Sequence, residues 1–120
     1  MPARNDALRD RLSRSREITI TVTGRKSGRA ISIPVWFAWE VDKLYLLPVQ
    51  GSDTQWYKNV LKNPMIRMAA REAGAEVKVV PVTDARQVSS VVERFRAKYG
   101  TRDIKKYYSK LDVAVSAQIP

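Results

Sequence analysis

The segment Ile18-Thr19-Ile20-Thr21-Val22-Thr23 alternates a branched apolar residue with a threonine at every step. A period of two sends successive side chains to opposite faces, and β-branched residues suit a pleated backbone. The stretch therefore reads as a strand with one buried and one solvated face, which obliges the rest of the chain to supply its partners. Gly24-Arg25-Lys26-Ser27-Gly28-Arg29 reads as the turn that follows, with glycines to take unusual dihedrals. A second strand is predicted over 30–39, with Ile31, Ile33, Val35 and Phe37 on one face. Pro34 within it has no N–H to give a ladder and marks an edge or a bulge. Val41-Asp42-Lys43 turns the chain into a third strand over 44–49.

The period changes after Gly51. Ser52 or Asp53 caps a helix running to about Lys62, with Trp56, Val60 and Leu61 on one face, and Asn63-Pro64 ends it. Strands are predicted over 65–70 and 75–83, joined by a hairpin at Arg71-Glu72-Ala73-Gly74 in which Gly74 takes the positive φ. Asp84 caps a helix over 84–99, where Val88, Val91, Val92, Phe95 and Tyr99 recur at helical spacing before Gly100 ends it. A short helix from Asp103 to Tyr108 leads into a last strand over 112–119. At the other end, residues 3–15 read as a short helix with Ala3, Ala7, Leu8 and Leu12 on one side. This order predicts a mainly β, α+β chain: a six-stranded antiparallel barrel with flanking helices, in one domain over residues 1–120.

Among the 120 residues there is no cysteine and no histidine. Disulfides, thiolate nucleophiles, Ser/His triads and His-ligated metals are excluded, and no metal site is expected. If the chain is an enzyme, an organic cofactor carries its hard chemistry. Lys and Arg number 22 against 12 Asp and Glu, a net charge of +10. The excess lies in residues 1–29 and 67–120, and the stretch between them is neutral. Such a balance implies anionic partners: nucleic acid, a phosphorylated cofactor or an acidic membrane surface. No apolar run approaches the ~18–20 residues of a membrane span, and the arginine-rich N-terminus lacks a signal-peptide core. A cytoplasmic location is expected.

Three groups of residues can carry chemistry. The basic turn 24–29 offers cations, a hydroxyl and free backbone N–H groups that can cradle a phosphate, although it lacks the Gly-Lys-[Ser/Thr] element of a Walker loop. The same residues also read as a solvated hairpin. Trp36, Trp39, Trp56 and Tyr57 surround Gly51 and suit stacking on a planar ring, or a barrel core and dimer contact. Tyr107 and Tyr108 precede the last strand, where a neutral hydroxyl orients or protonates a substrate, or the rings simply pack against the barrel. Lys105, Lys106 and Lys110 read as a solvated face.

The order of these motifs resembles the deazaflavin-dependent nitroreductase family, within the split β-barrel flavin-binding superfamily that includes pyridoxamine-phosphate oxidase-like proteins. The resemblance rests on strand 18–23, Thr23-Gly24-Arg25-Lys26-Ser27-Gly28, Pro34, Gly51, Trp56-Tyr57-Lys58-Asn59 and Lys62-Asn63-Pro64, and covers about residues 17–83. It implies a split barrel that binds the deazaflavin F420, or alternatively FMN, and passes a hydride to a small unsaturated, nitro or quinone-type acceptor. By resemblance, Arg25, Lys26 and Ser27, with Arg29 beside them, face the cofactor's phosphate or acidic tail. Pro34 and its neighbour Trp36 line the ring pocket, and Trp56 and Asn59 close the phosphate side. Tyr57 or Tyr108 donates a proton or steers the substrate, and a homodimer is implied. A binding protein without turnover uses the same features. A nucleic-acid-binding barrel fits less well, because the aromatics cluster beside a Gly-rich turn instead of alternating with cations along strands.

Overall fold

The computed structural model of the chain describes residues 6–40 and 42–119. Ala3, on the apolar side expected of the first helix, and Val41, in the second turn, lie outside them. Six strands are present: β1 (Glu17–Thr23), β2 (Ala30–Glu40), β3 (Lys43–Leu46), β4 (Met65–Ala70), β5 (Ala73–Val82) and β6 (Ala114–Gln118). They close into a barrel in the order β1-β2-β3-β6-β5-β4, with every neighbouring pair antiparallel. Four helices flank it: α1 (Asp6–Arg14), α2 (Gln55–Lys62), α3 (Ala85–Tyr99) and α4 (Thr101–Tyr107), with a short 3₁₀ turn at Gly51–Asp53.

The two longest strands close the barrel by changing partners midway. Residues 30–36 of β2 pair with β1, and Phe37–Glu40 pair with β3. Residues 73–78 of β5 pair with β4, and Val79–Val82 pair with β6. Pro34 therefore lies where β2 has a neighbour on one side only, the edge-like setting that a residue without an N–H tolerates. At each change of partner the backbone needs a substitute for the ladder. Val79 N–H donates to Pro64 O at 2.9 Å. Phe37 is served by side chains of α3 instead. Its N–H donates to the Tyr99 hydroxyl at 3.1 Å, and its carbonyl accepts from Lys98 Nζ at 2.8 Å. The Tyr99 hydroxyl in turn donates to Arg16 O at 2.6 Å, with Phe37 O also in reach at 2.9 Å.

Alternation along β1 buries Ile18, Ile20 and Val22 in the barrel, where they meet Phe37, Leu44, Leu46, Met68 and Val79. Because α1 runs into the start of β1 while α2 packs beside its far end, the two helices enter the barrel from opposite ends. Leu8 and Leu12 come from α1, and Trp56, Tyr57 and Val60 from α2. A second apolar layer lies outside, where Val88, Val91, Val92 and Phe95 of α3 pack with Ala38, Leu47 and Ile104. The helical spacing of those α3 residues produces that layer, and Asp84 accepts the Gln87 N–H at 3.1 Å as the helix cap.

Some boundaries differ from the sequence expectation. The third strand ends at Leu46 instead of 49: Pro48 cannot donate to a ladder, and Val49 O accepts the Ser109 N–H from the chain after α4. The β4–β5 hairpin is tighter than expected, since Ala70 pairs with Ala73 and leaves only Arg71-Glu72 in the loop. Arg71, not Gly74, takes the positive φ, at 59°. Gly74 lies in β5, where a Cβ would come within 2.9 Å of both Arg67 Nη2 and Met68 O, so close approach and not dihedral freedom asks for glycine there.

Burial raises the Tyr99 phenol from its ordinary 10.0 to about 12. A raised pKa in the folded state means that the stability it contributes is complete below pH 10 and is lost as pH climbs through 12. Tyr99→Phe leaves the Phe37 N–H without its partner and is expected to cost about 1–3 kcal/mol at neutral pH. Urea unfolding at pH 7 and at steps above pH 10 checks this: the gap between wild type and variant should narrow as the pH rises.

Candidate functional site

A cavity of about 420 Å³ opens along β2, where residues 30–36 have a strand neighbour on one side only, a volume within the ~300–1,000 Å³ usual for small-molecule sites. One wall is Ile33, Pro34, Val35 and Trp36 of β2, with Glu17 of β1 beside it. Leu47 and Val49, Trp56 of α2, and Asp103, Tyr107 and Tyr108 at α4 complete it. Trp36 stacks on Tyr99 with ring centroids 4.2 Å apart and planes 8° from parallel. Tyr107 meets Trp36 edge-on at 5.7 Å, and Tyr108 lies at 6.2 Å. Phe95 packs behind both Tyr99 and Tyr108, so the apolar layer outside the barrel holds the aromatic wall in place. Tyr108 is buried, and its hydroxyl has no hydrogen-bond partner among the described residues. Burial, with Tyr99 beside it, pushes its pKa far above the usual phenol value. Tyr108 is thus a neutral hydrogen-bond donor throughout the physiological range.

The basic turn is joined to this cavity through α2. The Arg25 guanidinium donates to Asn59 Oδ1 at 2.8 Å and to Gln55 Oε1 at 2.8 Å, and the Arg25 N–H reaches the same Asn59 oxygen at 3.1 Å. Asn59 is buried, and Trp56, one turn earlier on α2, lines the cavity. Arg25 is thereby committed to fixing the turn on the helix. Lys26, Ser27 and Arg29 remain exposed, and neither cation has an ion-pair partner among the described residues. The Ser27 hydroxyl accepts the Arg29 N–H at 3.1 Å.

A polar latch sets the far rim. The Ser52 hydroxyl donates to Asp112 Oδ2 at 2.6 Å and the Ser52 N–H to Asp112 Oδ1 at 3.0 Å, while Lys110 pairs with Asp53 at 3.2 Å. The Ser52 hydrogen bonds hold the Asp112 carboxyl below its usual range, and the hydrogen bond to Asp53 raises Lys110. Gly51 has φ 56°, and a Cβ there would fall 2.1 Å from Asp112 Oδ1. This latch ties the segment after Val49 to the segment after Tyr108, and so spaces two walls of the cavity.

Of the residues singled out from sequence, Pro34, Trp36, Trp56 and Tyr108 come together in the cavity. Lys26, Ser27 and Arg29 stay on the turn, and Arg25 and Asn59 form the joint between turn and helix. Tyr57 lies inside the barrel cluster, away from the cavity lining, with its phenol raised by burial and then by Asp112. Trp39 faces a separate groove between α1 and α3, beside Leu12, Ser15 and Lys98. Sequence reasoning missed Glu17, Asp103 and Val49. Counting outward from the first turn places Glu17 opposite Trp36, as the ladder has it. Asp103 and Tyr107 are four apart, the spacing that puts two residues on one helix face. Among the described residues, no group of three or more His, Cys, Asp or Glu side chains could hold a metal ion.

Residues 9–117 match the family described as an uncharacterized protein conserved in bacteria, DUF2255. The chain belongs to that family. No curated protein matches it. Among solved structures, the DUF2255 chain is similar to an F420-H2 dependent reductase, FDR-A (TM-score 0.67, 18% identity, 86% of this chain and 94% of that one). It is also similar to a domain-swapped dimer (0.68, 17%, 94% and 98%). HutZ, the heme storage protein of Vibrio cholerae, is a third (0.70, 12%, 96% and 88%). At these identities the likeness is one of fold. The six-stranded antiparallel split barrel expected from the sequence is the fold of this DUF2255 chain, and it is shared with F420-H2 dependent reductases.

Gly51→Ala adds a methyl group into the Asp112 carboxylate and strains a left-handed backbone. The variant should lose about 1–3 kcal/mol of stability, measured by thermal unfolding.

Proposed function

We propose that this DUF2255 chain is a flavin- or deazaflavin-dependent oxidoreductase, with F420 or FMN as cofactor. The observation that carries the proposal is the joining, through α2, of an aromatic cavity to an exposed basic turn whose two cations, Lys26 and Arg29, have no ion-pair partner among the described residues. The residues present fit such a cofactor in both halves. Trp36, Trp56 and Pro34 offer apolar and aromatic surface to a planar ring, while Lys26 and Arg29 offer charge-assisted hydrogen bonds to an anionic tail. When bound in its reduced form, the cofactor supplies a hydride to a small unsaturated, nitro or quinone-type acceptor.

The protein's own part is binding, orientation and exclusion of water. Arg25 and Asn59 fix the turn relative to Trp56, so the tail and ring subsites hold a constant separation. A ring laid on the apolar β2 wall displaces water from it, which strengthens polar contacts there. Tyr108, neutral and with a free hydroxyl, steers the acceptor or donates a proton to it. Tyr57 serves as a core residue that α2 turns into the barrel. The reading places the protein in the cytoplasm, as one cofactor-binding domain. Among the described residues, no helix is long and apolar enough to cross a membrane. A homodimer belongs to the same proposal: Ile31, Val49 and Tyr107 are exposed apolar residues, and the last two lie at the cavity itself.

A carrier without turnover is the second reading. The heme storage protein that shares this fold favours it, being a barrel named for holding a ligand. Anaerobic oxidation of the reduced cofactor by a nitroaromatic acceptor, seen with protein and not without it, separates the two.

Fluorescence titration with FMN and with F420 tests the cofactor assignment. Lys26→Ala removes a charge-assisted contact of about 1.5–3 kcal/mol, which should weaken binding about 10- to 150-fold. Lys43 lies at the opposite end of β2, roughly 30 Å away at the usual rise of a strand, and Lys43→Ala should change affinity less than about threefold. The difference should survive high salt, and equal losses for the two variants would contradict the assignment.

A further inference from the structure

The charge of the cavity runs against the charge of the chain. Although basic residues outnumber acidic ones by 22 to 12, the charged side chains lining the cavity are Glu17 and Asp103, both acidic. Neither has an ion-pair partner among the described residues. Each is held next to a ring: Glu17 pairs with Trp36 across the β1–β2 ladder, and Asp103 lies one helical turn before Tyr107. The remaining lining is apolar or aromatic, with Trp56 and Tyr108 adding two more rings.

We propose that this cavity binds an organic cation, and that the acceptor it admits carries a quaternary or protonated amine. Carboxylates set among Trp and Tyr rings compensate a positive charge in two ways, by direct Coulomb attraction and by the negative faces of the rings. Rings in and behind this wall already carry cations. Arg16 sits 5.1 Å over Tyr99, whose ring stacks with Trp36, and Lys106 sits 5.2 Å over Tyr107. The Tyr108 hydroxyl, without a hydrogen-bond partner among the described residues, provides an oxygen that accepts from an ammonium N–H. An anion meets two carboxylates here, whereas the basic turn beyond α2 is the place for anionic groups. The two subsites thus sort a cofactor's phosphate from a positively charged acceptor. The inference rests on the reading in which the acceptor enters this cavity against the cofactor's ring, but its test does not depend on the cofactor.

Three soluble probes of similar size separate the outcomes: benzyltrimethylammonium, benzyl alcohol and benzoate, each titrated into the purified protein by calorimetry and tryptophan fluorescence. A chain of net charge +10 acting through general electrostatics favours benzoate. The cavity as described favours the cation, by about tenfold or more over either of the others. Glu17→Gln and Asp103→Asn should each reduce cation affinity about three- to tenfold and leave benzyl alcohol unchanged, with thermal unfolding confirming that both variants fold. Benzoate or benzyl alcohol binding as tightly as the cation overturns the proposal, as does cation affinity that persists in the double variant. FMN and F420 are titrated in parallel. Cation binding with no cofactor binding removes the oxidoreductase reading and with it the acceptor role, leaving the cavity a site for an organic cation, and the reverse pattern removes only the cation site.

Discussion

A barrel of six short strands cannot give every residue of its two longest strands a neighbour on both sides, and β2 and β5 meet that constraint by exchanging partners halfway. The exchange in β2 falls between Trp36 and Phe37. Phe37 would be left with backbone groups facing no strand, and α3 fills the gap with the Tyr99 hydroxyl and the Lys98 amine. Lys98 lies 3.4 Å from the centroid of the Phe37 ring, and burial, with Arg16 nearby, lowers its pKa to about 8. The chain holds this partly desolvated amine where the ladder fails, and α3 is thereby fixed against the outside of the barrel.

The cavity is a consequence of the same exchange. Trp36 is the last residue of β2 that pairs with β1, and its ring turns outward onto Tyr99, the residue that repairs the break. The aromatic wall therefore stands on the hydrogen bonds that hold the fold together. From there the architecture separates charge by element. The turn after β1 carries Lys26 and Arg29 into solvent, α2 takes Arg25 as a fastening, and the start of β1 and the start of α4 bring Glu17 and Asp103 to the cavity. Neutral Tyr108 lies among the rings with its hydroxyl uncommitted.

Features that repeat along the chain were legible in the sequence. The Ile-Thr alternation of β1 and the helical spacing of Val88 to Phe95 each follow from a period, and they led to the barrel and to the helix packed outside it. Features that depend on distant residues were not. Tyr99 reads as one more apolar position of α3, and nothing local reveals that its hydroxyl serves Phe37, 62 positions away. Arg25 reads as a phosphate ligand until Asn59 and Gln55, more than one element later, occupy its donors. Tyr57 and Trp39 are aromatic neighbours of the site in sequence, but the helix and strand periods turn Tyr57 into the barrel and carry Trp39 to another groove. Glu17 was available from the register of the first hairpin, because the turn length fixes which residues face each other.

The three tryptophans allow the most direct test of where a ligand sits, since each indole N–H gives its own signal in a proton–nitrogen correlation spectrum of labelled protein. Trp36 and Trp56 line the cavity, and Trp39 lies in the groove between α1 and α3. If the cavity holds the planar ring of FMN or F420, titration should move the Trp36 and Trp56 signals together, saturating with one affinity, and leave Trp39 in place. Saturable binding that shifts Trp39 alone, or that moves none of the three, would contradict a cofactor site at this cavity.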